Sequence, residues 1–180
     1  LEAERRSQNR LDKVRLLLLR GTDAKAASQR GRTALFLAVR SEPSFEIVKL
    51  LIAAGADVRA IDAAKMTILH SAAVGNDTAT IRLLVDAGLD VNAVDFAGFT
   101  PLISASLNQN IEAARLLIAK GANVNARAGD GSFQKVKAGQ VALGHWTPLS
   151  AAVLGSLELV KLLLDAGAGV DTPDVRGMTP

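Results

Sequence analysis

The chain of 180 residues has no cysteine. Disulfides, thiolate metal sites and thiol nucleophiles are thereby excluded, and the redox compartment is left undecided. Tyrosine is also absent; one tryptophan and five phenylalanines bring the aromatic share to 3%, in a chain that is 49% hydrophobic. Any core must be built from Leu, Val, Ile and Ala, which suits thin layers of closely approaching helices better than one thick interior. No apolar run approaches the ~20 residues of a membrane-spanning helix. The run Val14 to Leu19 is broken by Arg15 and ends at Arg20. With two histidines and no cysteine, a zinc site would need carboxylates from distant segments. Asp130-Gly131 begins like a calcium loop but lacks the alternating oxygen ligands and later glutamate. Gly167-Ala168-Gly169 has no third glycine in register and follows a helical pattern, so a dinucleotide site fails. Neither a Gly-x-Ser-x-Gly elbow nor a phosphate loop occurs. No catalytic residue, metal ligand or cofactor is assigned, and the chain is not expected to be an enzyme.

The formal net charge is only +3, but it is unevenly placed. Residues 1 to 40 hold ten Lys or Arg against four acids, and the remainder holds eleven against fourteen. A solvated polar cap at one end of the molecule accounts for this bias. Nucleic acid or an anionic surface bound through the basic end is the less favoured alternative.

What the sequence does contain is a period. Threonine recurs at Thr33, Thr67, Thr100, Thr147 and Thr179 with similar neighbours, at spacings of 34, 33, 47 and 32. A repeat of about 33 residues with one large insertion predicts a stacked all-α solenoid. In the third copy, Asp95 to Phe99 read as a turn, Thr100 as an N-cap and Pro101 as the first helical residue. Asn108-Gln109-Asn110 marks an inter-helix turn. Ile111 to Ile118 then shows 3–4 apolar spacing, and Gly121 sits where a left-handed residue ends a helix. Gly55, Gly88 and Gly167 close the matching helices of the other copies. Ahead of Thr33, Val14 to Gly21 forms an incomplete copy behind the almost wholly polar stretch Leu1 to Gln8, as expected of a helix with no neighbour.

Thr147-Pro148-Leu149, paired small residues, Leu-Leu and Gly121-Ala122-Asn123-Val124-Asn125-Ala126 resemble the ankyrin repeat. The resemblance covers residues 9 to 180. It implies a turn and two antiparallel helices per repeat, with turn tips and the concave first-helix face binding a protein or peptide. The expected divisions are a partial capping repeat at 1–29, then repeats at 30–61, 62–94, 95–126 and 127–173, and the start of another at 174–180. The ends at Leu1 and Pro180 suggest a piece of a larger polypeptide carrying further repeats. Such a piece could also dock or regulate a fused enzyme, channel or transport protein. The segment Ala142 to Leu149 resembles bacterial multi-repeat proteins, some of them exported; localisation is left open.

The copies depart from the family pattern in informative places. Only the second keeps the family histidine, as His70, where hydrogen bonding between turns is the expected role. The turn glycine, present as Gly31, Gly98 and Gly177, is replaced by Lys65 and His145, at a cost if that position needs positive φ. The first copy has one extra residue near Ser41-Glu42-Pro43-Ser44, and the fourth is one short between Pro148 and Leu159.

The spacing of 47 hides about 14 extra residues between Ala126 and Trp146. Phe133 to Lys137 and Gln140 to Leu143 flank Ala138-Gly139, a hairpin signal that extends a turn tip. Candidate binding residues follow from tip positions: Arg30, Arg32, Met66, Phe96, Phe99, Phe133, Lys135, Lys137, His145 and Trp146. Met66, Phe96, Phe99 and Trp146 either form an exposed apolar stripe or pack between adjacent turns. Trp146 and Phe133 have the further option of folding back over a repeat junction.

Overall fold

The computed structural model describes residues 2–40, 45–129, 133–136, 139–142, 145–173 and 177–180. A helix starts directly after the threonine in four of the five copies, and in three of them the threonine side chain caps it. Thr67, Thr100 and Thr147 are N-caps whose side chains accept from the amides of His70, Ile103 and Ser150. Thr33 departs from the pattern: its hydroxyl is buried with no hydrogen-bond partner among the described residues. Thr179 lies beyond the last described helix.

The first element, α1 (Glu2–Leu19), stands alone. Four helix pairs follow: α2 (Ala34–Arg40) with α3 (Phe45–Ala53), α4 (Ile68–Val74) with α5 (Thr78–Asp86), α6 (Pro101–Leu107) with α7 (Ile111–Ala119), and α8 (Pro148–Ala152) with α9 (Leu157–Asp165). The inner helices α2, α4, α6 and α8 stack on one another, and α1, α3, α5, α7 and α9 form a second, outer layer. Helix α8 is two residues shorter than α6, in line with the short fourth copy. The residue added to the first copy lies at 41–44, outside the described residues.

The core between the layers repeats with the sequence. Leu35, Leu69, Leu102 and Leu149 of the inner helices meet Leu51, Leu84, Leu117 and Leu163 of the outer ones, all buried. Each is worth about 2 kcal/mol of transfer free energy. Alanines fill the inner-helix junction (Ala72, Ala73, Ala105, Ala152) because backbones approach closely there.

The inter-helix turns are tied across repeats by side-chain amides. Asn110 Nδ2 donates to the carbonyls of Ala73 and Val74 at 2.8 and 2.9 Å, and Asn76 Oδ1 accepts from the Ala113 amide at 3.0 Å. Gln109 does the same one repeat later, accepting from the Ser156 amide at 2.8 Å and donating to the Ala151 carbonyl at 3.3 Å. Gly75 marks the tightest approach. A Cβ there would stand 2.2 Å from the Val39 carbonyl oxygen, although its own φ of −82° suits any residue. Gly75→Ala is therefore expected to destabilise by about 1–3 kcal/mol through overpacking alone. A urea midpoint unchanged from the parent would contradict the close junction.

Strands β1 (Phe133–Val136) and β2 (Gly139–Ala142) form an antiparallel hairpin in the insertion, with Phe133 opposite Ala142 and Val136 opposite Gly139. Gly139 is thus a paired strand residue, a correction to the turn expected at Ala138-Gly139.

At the N-terminal end the structure departs from the repeat. Counting back from Gly21 as from Gly121, residues 1–7 occupy the register of an inner helix, and Asn9 stands where Gln109 turns the chain at φ 57°. The chain nevertheless continues as one helix. Glu2, Arg5 and Arg6 stand at the positions of Leu102, Ala105 and Ser106, which are buried, so folding back would bury charge.

Candidate partner-binding surface

The second and third tips are four-residue turns closed by an aspartate, where the first has Ser28. Asp62 Oδ1 accepts from the amides of Ala64 and Met66 at 2.8 and 3.0 Å, and Asp95 Oδ1 accepts from Ala97 and Phe99, both at 2.9 Å. The residue before the last adopts positive φ, at Gly31 (72°), Lys65 (57°), Gly98 (78°) and His145 (61°). Lys65 and His145 therefore stand in a backbone conformation that favours glycine, as their positions in the repeat predict.

Successive tips are joined by single backbone bonds: Ala63 N–H to the Arg30 carbonyl at 2.9 Å, Phe96 N–H to Ala64 at 2.8 Å, and Gly129 N–H to Ala97 at 2.8 Å. The result is a continuous edge of turns beside the inner helices. His70 adds a side-chain tie beneath it. Its Nδ1 accepts from the Thr67 amide at 3.2 Å, which leaves Nε2–H to donate to the Phe99 carbonyl at 2.8 Å. The ring is thus held neutral, bridging its own helix start to the next turn. Burial lowers its pKa below the ordinary 6.5, opposed by the Phe99 carbonyl and by the charges of Asp95 and Asp62. The inter-turn role expected of His70 is the one seen.

The ten candidate residues do not share one environment. Phe96 is 76% exposed at the tip of its turn, with the Lys65 ammonium 5.3 Å from its ring centroid. Arg30 is exposed on the first tip, two turns away. Arg32 reaches forward to the next turn, its Nε donating to the buried Asp62 Oδ2 at 3.2 Å. Met66 is half-buried against the main core, and Phe99 packs against Trp146. The apolar stripe is therefore not continuous. Of its four members only Phe96 is exposed, because the residue just before each capping threonine points into the junction between turns.

Trp146 folds back over a repeat junction, one of the two courses open to it. It is 5% exposed and clusters with Ala128 and Ala151, with Phe99 and Leu107 alongside. Ala128 N–H donates to the Trp146 carbonyl at 2.9 Å and His145 N–H to the Ala128 carbonyl at 3.1 Å, so the insertion leaves from this pinched base. Here Ala128 replaces the aspartate of the regular turns, and the indole covers the space. His145 is half-buried at that base. For Phe133 and Lys135 the backbone lies in β1, while Lys137 falls outside the described residues.

Lys65 and Asp62 were not among the sequence candidates. Each partners a residue about one period away, Lys65 with Phe96 and Asp62 with Arg32, so oppositely tuned pairs roughly 30 residues apart are the signal that finds them. Among the described residues, no group of three or more His, Asp or Glu is placed to hold a metal. No described helix is long and apolar enough to cross a membrane.

A family model described as ankyrin repeats in three copies matches residues 3–95 and 42–128, and one for a single ankyrin repeat matches residues 144–175. The stretch between these matches is the one that carries the hairpin. Among curated proteins nothing matches the chain. Period, caps, two-layer stack and matched residues agree: the chain belongs to the ankyrin-repeat family.

Proposed function

We propose that this chain is a non-catalytic module that binds a protein or peptide through its turn tips and the adjoining concave face of the inner helices. Ankyrin repeats are generally protein–protein interaction modules. The observation that favours the tips is Phe96, a large apolar ring held in solvent with a lysine across it. An aromatic fixed on a rigid turn loses little entropy on binding and supplies much of the contact energy. The edge it stands on is stiffened by the inter-turn bonds and by His70.

Phe96→Ala is expected to weaken the natural partner by roughly ten- to thirtyfold. Thermal stability should stay within about 0.5 kcal/mol, since the ring is exposed. A photo-cross-linking amino acid at position 96, compared with one at Arg82 on the exposed side of α5, identifies the face in cells that express the protein. Adducts at Arg82 in place of position 96 would overturn the proposal.

A further inference from the structure

Away from the two ends of the stack, few large apolar side chains are left in solvent. Between Leu37 of α2 and Val153 after α8, those among the described residues are Ile61, Val94 and Phe96, at 54, 57 and 76% exposure. All three belong to the turn segments: Ile61 directly precedes Asp62, Val94 directly precedes Asp95, and Phe96 follows it. Helices α3 to α7 contribute none, so this is not the even scatter of single apolar residues that any surface carries.

The exposed charges of the same segments, residues 25–32, 59–66 and 92–99, have one sign. Lys25, Arg30, Arg59 and Lys65 stand in solvent, with no ion pair among the described residues. The acids there are turned inward. Asp62 is buried against Arg32 and two turn amides, and half-buried Asp95 accepts from the amides of Ala97 and Phe99. Asp23, Asp57 and Asp90 are exposed just ahead of these segments, each accepting the amide two residues on. Lys65 lies over the Phe96 ring, a contact that leaves its ammonium hydrogens to an outside acceptor. The inter-turn bonds set the order along the edge: cations on the first tip, Arg59 and Lys65 around Ile61 on the second, Val94 and Phe96 on the third.

Resting on the reading that the tips bind a protein, we propose that the segment they take up is an extended peptide, acidic at one end and rich in large apolar residues at the other. Its acids lie against Arg30, Arg59 and Lys65, cations whose own turns hold their carboxylates inward, so the charge complementarity is left to the partner. Its apolar residues cover Ile61, Val94 and Phe96. That second requirement favours a protein over a nucleic acid, whose phosphates would match the cations but leave the aliphatic pair uncovered.

The test selects binders to the whole chain from a display library of random short peptides. Their seat is read by photo-cross-linking from position 96 or from Arg82, and their affinity by fluorescence anisotropy. Enrichment of Asp or Glu at one end and of Leu, Ile or Phe at the other is expected, with cross-links from position 96. Arg59→Glu, Lys65→Glu and Ile61→Ser should each weaken such a peptide about tenfold. The thermal melt should not move, all three positions being exposed. Peptides that cross-link at position 96 yet are no more acidic than the library, or are indifferent to Arg59→Glu and Lys65→Glu, overturn this proposal and leave the tip reading standing. Cross-links at Arg82 in place of position 96 remove both. A single-stranded oligonucleotide that displaces the peptides at ~150 mM salt assigns the cations to nucleic acid and overturns the proposal, as does a selection that enriches nothing over bare matrix.

Discussion

Trp146→Ala is expected to cost roughly 3–5 kcal/mol, the range for removing a large buried aromatic. The residue is the only tryptophan, in a chain with few aromatics, and it fills the turn in which Ala128 stands at the aspartate position. Without the indole, Ala128, Ala151, Phe99 and Leu107 would line a void that alanine-rich helices cannot close by repacking. Its Nε1 is buried without a hydrogen-bond partner among the described residues, so the ring acts there as apolar bulk. Trp146→Phe should therefore recover most of the loss, leaving a deficit of less than about 1.5 kcal/mol. Urea unfolding followed by far-ultraviolet circular dichroism reads both variants without needing the indole's fluorescence. A loss under ~1 kcal/mol for Trp146→Ala would show that the indole does not hold this junction together.

The second large effect concerns His70, and it depends on pH. His70→Ala removes a fully buried side chain, leaves the Thr67 amide without its partner and takes away one of the two donors to the Phe99 carbonyl, which keeps the Asp95 amide. A loss of roughly 3 kcal/mol near neutral pH is expected from the cavity and the lost hydrogen bonds together. The sign of the pH dependence follows from the lowered pKa. In the folded protein His70 takes up its proton below 6.5, whereas in the unfolded chain it does so near 6.5. Between those values the unfolded state binds more protons, so stability rises with pH across the window. The contribution of the neutral ring is complete above about 6.5 and is lost as pH falls toward the folded-state value. The slope it can add is at most about 1.4 kcal/mol per pH unit. Unfolding free energies measured from pH 7.5 to 5 should show that slope in the parent and lose it in His70→Ala. Parallel curves for the two proteins would rule the histidine out as the source.

Much of the fold was legible because a repeat presents the same evidence several times. Asn108-Gln109-Asn110 read as a turn and is one, and Gly121 ends its helix at φ 90°. The roles of individual tip residues were less legible. Met66, Phe99 and Trp146 share a position in the repeat with Arg32, and nothing local says whether that position faces water. Phe96, three residues before Phe99, is exposed only because its turn projects it outward while Phe99 turns under. Asp62 looked like one of many turn aspartates; its second oxygen is taken by Arg32 of the previous turn. Such pairings join residues 30 or more apart, and spacing alone does not say how tightly the stack brings them together.

The sequence by itself determined the period, the cap chemistry, the closing glycines and the location of the insertion, because these are set by backbone geometry within a few residues. Only the tertiary structure decided which apolar side chains stay in solvent. That depends on what the neighbouring repeat covers: Trp146 is buried since Ala128 leaves room beneath it, and Leu37 is open since polar residues 2–10 carry α1 straight on, leaving no inner helix beside it.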